Sequence, residues 1–294
     1  MSSAAVTNLA FRAVIGDNAS GPDGHHTGFN GIWSLVPTGT TTNVIGAGLA
    51  GLNLEHYING RDEDGKKPDI LFDPRRSPIK LRRRSASSVL LHQPPTAYYG
   101  VESWTEFTIQ EPNTIEMAFR CIPRKDIFPN GWLGVFWATY VKQQEEPHAN
   151  FLGYESPEQV EPTWLQTDGY SMVYSREAKV PLKFPGPFQG HAMATTDERR
   201  WAEPFYYCLW GEYAYIVMFE TDHDIGMYAG YNRPPASWNP WDFQMIIHEP
   251  EIGSEYGLKV RIVFDKFEGR DGVLAQVRKW KRDLLRTPSK RPPR

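Results

Sequence analysis

Apolar and polar positions alternate with a period of two along much of the chain, the pattern of strands half buried against a core. From Thr114 to Cys121, the residues Ile115, Met117, Phe119 and Cys121 share one face while Glu116 and Arg120 take the other. Gly257 to Phe264 repeats the pattern, with Leu258, Val260, Ile262 and Phe264 set against Lys259 and Arg261. Gly131 to Val141 is apolar without strict alternation, which predicts a central strand covered on both faces. Phe205 to Trp210 and Glu212 to Glu220 read as neighbouring strands broken at Gly211. The second of these is expected to pair with Ile225 to Tyr231 across the turn Asp222-His223-Asp224.

One segment follows a different period. Beyond Asp271, a plausible N-cap, the residues Val273, Val277, Trp280 and Leu284 fall on one helical face, and Arg278, Lys279, Lys281 and Arg282 coat the rest. The 25 Gly and 24 Pro are spread from end to end rather than pooled in one linker, so residues 1–286 are expected to form one domain that includes the helix 271–286. Stretches 59–68 and 143–162 read as polar loops, and the Pro-rich basic tail 287–294 as disordered. The expected fold class is all-β: a large two-sheet antiparallel β-sandwich with one C-terminal amphipathic helix.

Charge removes several function classes. Lys and Arg total 32 against 35 Asp and Glu, a formal charge of −3, which is not a surface built to neutralise a long phosphate footprint. The basic run Arg75, Arg76, Lys80, Arg82, Arg83 and Arg84 has no aromatic platform interleaved with it, and no nucleic-acid partner is expected. No apolar run approaches the roughly 18 residues a membrane span needs, and Met1 to Ser20 lacks the basic start and apolar run of a signal peptide. A cytoplasmic protein with no membrane partner is expected. Cys121 and Cys208 lie inside strand-like apolar runs and read as buried free thiols, with a bridge between them left open. No P-loop, GxGxxG, GxSxG or catalytic-cysteine signature occurs, so no cofactor is expected. No metal is expected either, although His25, His26 and His56 would be the first ligands to test.

Aromatics are the unusual component, at 13% with 10 Trp and 14 Tyr, and such side chains suit ligand surfaces that are part wet and part dry. Leu52 to Tyr57, read as a strand, places Asn53, Glu55 and Tyr57 on one face. His56 then falls on the apolar side with Leu52 and Leu54, unless the strand ends or bulges there. His25 to Gly31 is a glycine-flanked loop entering a strand, with His26 and Asn30 as candidate ligand contacts. Asp197 to Tyr207 gathers Arg199, Glu203 and Tyr206, and guanidinium beside carboxylate suits hydroxyl and carboxylate recognition. In Trp238 to His248, alternation sets Asp242, Gln244, Ile246 and His248 opposite Trp241, Phe243, Met245 and Ile247. A polar row in one strand is costly if buried without partners, so it faces water or a ligand.

The segments FNGIWSL (29–35), AGLNLEHY (50–57), FWATY (136–140), EPFYY (203–207) and NPWDFQ (239–244) sit in a chain of long alternating strands. In this the chain resembles the galactose-mutarotase-like supersandwich, a group that includes sugar epimerases and serves as a domain in polysaccharide lyases and glycosidases. The resemblance implies a concave sheet face that binds a small-molecule or oligosaccharide substrate, and general acid–base chemistry of an epimerase, lyase or glycosidase type. A non-catalytic glycan-binding protein, or a structural protein whose polar strand faces are simply wet, stays open beside it. On the enzyme reading Glu55, Glu203, Asp242 and Gln244 converge on one pocket. Glu55 is the preferred acid or base, with Glu203 or His56 as its counterpart. His26, Asn30, Asn53 and Tyr206 contact the ligand, Arg199 stabilises developing charge, and Trp137 or Tyr140 forms a wall.

Overall fold

The alternating segments do form strands in the computed structural model of the protein, which describes residues 2–59, 68–179, 195–232 and 236–286. In chain order they are β1 (Ser3–Thr7), β2 (Phe11–Gly16), β3 (Gly31–Pro37), β4 (Asn53–Ile58), β5 (Lys80–Arg83) and β6 (Ser88–Gln93). There follow β7 (Val101–Gln110), β8 (Thr114–Pro123), β9 (Trp132–Ala138), β10 (Tyr140–Lys142), β11 (Asn150–Tyr154), β12 (Thr163–Gln166) and β13 (Met172–Ser175). The last six are β14 (Thr196–Trp201), β15 (Phe205–Trp210), β16 (Tyr213–Glu220), β17 (Asp224–Ala229), β18 (Trp238–His248) and β19 (Tyr256–Lys266). Two short helices, α1 (Pro68–Leu71) and α2 (Asp73–Arg76), follow β4, and α3 (Gly269–Arg286) closes the described chain.

Two layers result. The first runs β4-β9-β18-β17-β13, and the second β11-β15-β16-β19-β8-β7-β6-β5. They are linked at one side by β14, which pairs parallel with β13 and antiparallel with β11. Strands β1 to β3 make a separate three-stranded antiparallel sheet. The core lies between the layers, where Tyr57, Val135, Trp137, Phe243 and Met245 meet Phe119, Tyr206, Val217, Phe219 and Ile262 in one buried cluster. Aromatic pairs knit the two together: Phe119 stands edge-on to Trp137 at 4.8 Å and Phe219 meets Phe243 at 4.9 Å, while Trp137 stacks on Phe243 within the first layer at 5.1 Å. Each such pair adds about 0.5–1.5 kcal/mol beyond the area it buries.

Helix α3 covers the outer face of the second layer. Val273, Val277 and Trp280 pack on Phe205, Tyr207, Ile216, Met218 and Val263, the residues of β15, β16 and β19 that alternate away from the core. Arg261 of β19 ties the helix down, bonding both Glu116 of β8 and Asp283 of α3. The helix starts at Gly269, two residues before the expected Asp271, which sits in the first turn where a carboxylate complements the helix dipole. No described helix is long and apolar enough to cross a membrane.

Three expectations need correction. Strand β16 does not pair with β17: β16 lies between β15 and β19 in the second layer, and β17 between β13 and β18 in the first. Thr221 to His223 therefore crosses between layers instead of turning a hairpin. The stretch expected as a loop over 143–162 contains β11, whose Asn150, Phe151 and Gly153 are buried. Trp137, expected as a wall, and Tyr206, expected as a ligand contact, are core residues exposed by 0% and 1%, and neither is open to a ligand. The expected loop over 60–67 and the tail 287–294 lie outside the described residues.

Cys121 and Cys208 are free and fully buried. Burial pushes both thiols well above their ordinary value, so the reactive thiolate is suppressed. A thiol-specific aromatic disulfide reagent is expected to leave the native protein unmodified over hours and to titrate both cysteines once it is unfolded. Rapid labelling of the native protein would contradict this placement.

Candidate active site on the outer face of the first layer

The site begins with two breaks in otherwise regular strands. β4 pairs Leu54 with Trp137 and His56 with Phe136, so the register slips by one residue and leaves Glu55 as a β-bulge. A bulge re-aims the side chains that follow it. Here it leaves Leu54 and Tyr57 in the inter-layer core, while His56 packs on Phe136, part of the cluster on the outer face of this layer. His56 thus leaves the apolar side that strict alternation assigned to it, and Tyr57 does not share a ligand face with Glu55.

The second break separates β9 from β10 at Thr139. Its backbone N–H donates to Asp242 Oδ1 at 2.9 Å, its carbonyl accepts from Trp241 N–H at 2.9 Å, and its hydroxyl accepts from Leu52 N–H at 3.0 Å. Leu52 adopts a left-handed backbone (φ 47°) just before β4, and that hydrogen bond helps to hold it there. The register against β18 carries through Thr139 unchanged, so regular alternation turns Tyr140 outward while Trp137 and Val141 face the core.

Glu55 is the hub. It is 3% exposed, and its Oε1 accepts from Arg75 Nη1 at 2.7 Å and from the Tyr140 hydroxyl at 2.6 Å. Both are charge-assisted bonds of the stronger kind. Arg75 also donates Nε–H to the Gly28 carbonyl at 3.0 Å, and its guanidinium lies 3.9 Å from the Phe29 ring centroid and 4.9 Å from that of Phe72. His56 Nε2 stands 3.6 Å from Glu55 Oε2, and its Nδ1 is 3.3 Å from the Leu71 carbonyl. Tyr140 is framed by Phe29 at 5.4 Å and Trp238 at 4.6 Å, both edge-on. Burial, then Glu55's charge and hydrogen bond, hold the Tyr140 phenol well above its ordinary value, so it remains a proton donor.

Asp242 is the second carboxyl and differs in kind. Burial pushes it well above the usual carboxylate range; the Thr139 N–H opposes this and the charge of Glu55 adds to it. Two carboxyls on one face thus have different surroundings: Glu55 is paired with a guanidinium, and Asp242 is driven to keep its proton. Different surroundings are the usual basis for dividing acid and base roles. Next along β18, Gln244 bonds the Tyr174 hydroxyl. Asn30 and Asn53 brace the floor: Asn53 Oδ1 accepts from Asn30 N and Nδ2 at 3.0 and 2.9 Å, and Asn30 exchanges two further bonds with the Leu54 backbone. Asn53 Nδ2 is buried with no partner among the described residues.

The candidates from sequence thus divide. Glu55, His56, Asn30, Asn53, Tyr140, Asp242 and Gln244 belong to the strands and loop that build this face. Asn30, Asn53 and Gln244, expected as ligand contacts, are however exposed by only 3%, 0% and 0% and bond to protein groups, so they brace the face from within. His26 is exposed at its rim, its backbone N–H donating to Gly48 O at 2.9 Å and its ring 6.4 Å from Phe29. Glu203 does not join them, because it pairs with Lys281 of α3 at 2.5 Å on the other layer. Arg199 is held by Asp197 through Nε at 2.9 Å and Nη2 at 2.5 Å, and donates to the Gln166 carbonyl, so it stabilises no charge near Glu55. Arg75, Thr139 and Tyr174 are the contributors that sequence reasoning missed. Arg75 was visible only as part of a basic run, and its partner Glu55 is twenty residues earlier with no periodicity linking them.

A cleft of about 710 Å³ opens beside the hub, lined by Asn18, Thr27, Gly28, Phe72, Arg75 and Arg76 among others. Among the described residues no group of three or more His, Cys, Asp or Glu side chains is placed to hold a metal ion.

No family model matches the chain, and no curated protein matches it by sequence. Solved structures do match. A candidate aldose 1-epimerase from Escherichia coli K12 is similar over 90% of this chain and 99% of its own, with a TM-score of 0.52 and 10% identity. The Slr1438 protein from Synechocystis sp. PCC 6803 matches over 90% and 96%, at 0.51 and 9%. An alpha-N-acetylgalactosaminidase, NagBb from Bifidobacterium bifidum in complex with GalNAc, matches over 97% of this chain but 40% of its own, at 0.54 and 13%. At such identities the likeness is one of fold, and that fold is the galactose-mutarotase-like supersandwich.

Proposed function

We propose that the protein is carbohydrate-active, and that it holds a sugar over the outer face of the first layer and interconverts it by general acid–base chemistry. The observation that carries this is the pair of carboxyls in opposed environments: Glu55 bonded to Arg75 and Tyr140, and Asp242 buried and pushed toward its protonated form. The folds of an aldose epimerase candidate and of an N-acetylgalactosaminidase support the substrate class.

The simplest reaction using one acid and one base is exchange of anomers. Glu55 takes the proton of the anomeric hydroxyl while Asp242 gives its proton to the ring oxygen. The C1–ring-oxygen bond breaks and C1 becomes a carbonyl. Rotation about C1–C2 and reclosure return both protons. No covalent intermediate with the protein is needed. Arg75 keeps Glu55 oriented, Tyr140 shares its oxygen, and the rings of Tyr140 and Trp238 supply apolar surface for sugar C–H groups.

The non-catalytic reading has one observation in its favour: Glu55 Oε1 already accepts two hydrogen bonds and is nearly closed to solvent. Two measurements separate the readings. In a thermal-shift screen of neutral aldoses and N-acetylhexosamines, a sugar that binds the native state raises Tm on either reading. Anomer exchange followed by NMR then responds to Tyr140→Phe with a loss of about tenfold if the site is catalytic, one hydrogen bond to a charged group being worth about that much. Binding without acceleration of exchange would leave a lectin-like function; absence of any sugar-induced shift would overturn the carbohydrate reading altogether.

A further inference from the structure

The basic run that no fold feature absorbed starts at this site. Arg75 reaches Glu55, and with Arg76 it lines the cleft beside it. The chain then passes through Ser77 to Ile79 into β5, an edge strand paired only with β6. Lys80, Arg82, Arg83 and Arg84 are all exposed there. Lys80, Arg82 and Arg84 have no acidic partner among the described residues, and Arg83 donates only to the carbonyls of Ser85 and Ala86. Glu102 and Glu106 lie one strand beyond β6 on β7. Glu102 is engaged by His92 and Arg124, and Glu106 by Ser88.

The connecting segment is mounted rigidly. Asn18 Nδ2 donates to the carbonyls of Arg75 at 3.0 Å and Ser77 at 2.7 Å, and Asn18 Oδ1 accepts from Ile79 N–H at 3.2 Å. From the other side Gln93 Nε2 donates to the Pro74 carbonyl at 2.7 Å and the Ser77 carbonyl at 3.1 Å. Charges on an edge strand also discourage sheet-to-sheet association, and lysine or a single charge suffices for that. A row in which Lys80, Arg82 and Arg84 have no acidic partner among the described residues, running on from a cleft beside the catalytic candidates, is more than that purpose requires. At about 3.3 Å per residue, β5 alone spans about 13 Å, the length of two to three sugar rings.

We propose that this row is a binding track for an acidic oligosaccharide, one bearing carboxylates or sulfates, whose terminal ring enters the cleft at Arg75 and Arg76. This rests on the carbohydrate reading above and narrows its substrate class. Guanidinium suits the role because its planar fork matches carboxylate and sulfate oxygens.

The test compares a hexamer of galacturonate with a neutral maltohexaose by calorimetric titration at 50 and 300 mM NaCl, and adds a poly-dT hexamer as a competing polyanion. Wild-type protein is expected to bind the acidic hexamer about tenfold or more tighter than the neutral one at low salt, a preference that high salt erodes. The triple substitution Lys80→Gln, Arg82→Gln, Arg84→Gln, at exposed positions where the fold is checked by Tm, is expected to remove most of that preference. Equal affinity for the two hexasaccharides, or an unchanged preference in the triple variant, would overturn the track. The sugar reading would still stand if monosaccharides raise Tm. Tighter binding of the oligonucleotide with the same dependence on the three cations would reassign the track to nucleic acid. If no saccharide binds at all, the carbohydrate reading is what has failed.

Discussion

Asp242→Asn is expected to cut turnover by about 10²- to 10⁴-fold, the usual cost of losing a general acid, without lowering Tm at neutral pH. The amide keeps an oxygen to accept the Thr139 N–H, so the backbone anchor that separates β9 from β10 survives. What disappears is the proton. Burial raises this carboxyl well above the ordinary range in the folded chain, whereas an unfolded Asp titrates normally. Between those two values the native state binds the extra proton, so stability falls as pH rises from the ordinary carboxylate range through the raised one. Asparagine cannot titrate, and the variant should lose that part of the slope. Its Tm should equal the wild-type value at low pH and exceed it at the high end of the window. The wild-type rate should fall only at the upper end of that window, as pH passes through the raised value and the acid loses its proton. Melting curves and anomer-exchange rates measured across pH for both proteins check this. Wild-type turnover in the variant, or an unaltered pH slope of stability, would remove Asp242 from the acid role.

Much of the architecture was legible because alternation is a local signal. β8 and β19 follow it residue by residue, as does the row Asp242, Gln244 and Ile246 of β18, set opposite Phe243 and Met245. The helical face of Val273, Val277 and Trp280 was equally plain. Alternation reports which side chains share a face, but not which layer a strand joins. That is why β16 and β17 were paired wrongly, and why Glu203 and Arg199 were drawn into a site on the other layer. Trp137 and Tyr140, three residues apart in one continuous register, face opposite ways as alternation requires, so only one of the two could meet a ligand face. Alternation also assumes an unbroken phase, and the bulge at Glu55 breaks it for His56 and Tyr57. That slip is visible only against β9, some eighty residues on, which no window of ten residues contains.

The same limit explains Arg75, whose removal is expected to have the largest effect on stability of any substitution at the site. Arg75→Ala should destabilise the protein by about 3 kcal/mol, since stripping one partner from a buried pair leaves the other charge uncompensated. Glu55 is nearly inaccessible, so water cannot replace the guanidinium, and the Gly28 carbonyl and the faces of Phe29 and Phe72 lose their contacts as well. For a chain of this size that corresponds to a fall in Tm of about 5–10 °C. Arg75→Lys should recover only part of it, because an ammonium restores charge without the planar fork that reaches Glu55 and Gly28 together. Combining Arg75→Met with Glu55→Gln removes both charges and should cost less than the two single changes added, with a coupling of about 1–3 kcal/mol in a double-mutant cycle. An exposed cation that merely belonged to a basic run would behave otherwise: its loss would stay within about 0.5 kcal/mol and would add independently to Glu55→Gln. That second outcome would break the Glu55–Arg75 hub, and with it the orientation of Glu55 on which the proposed base depends.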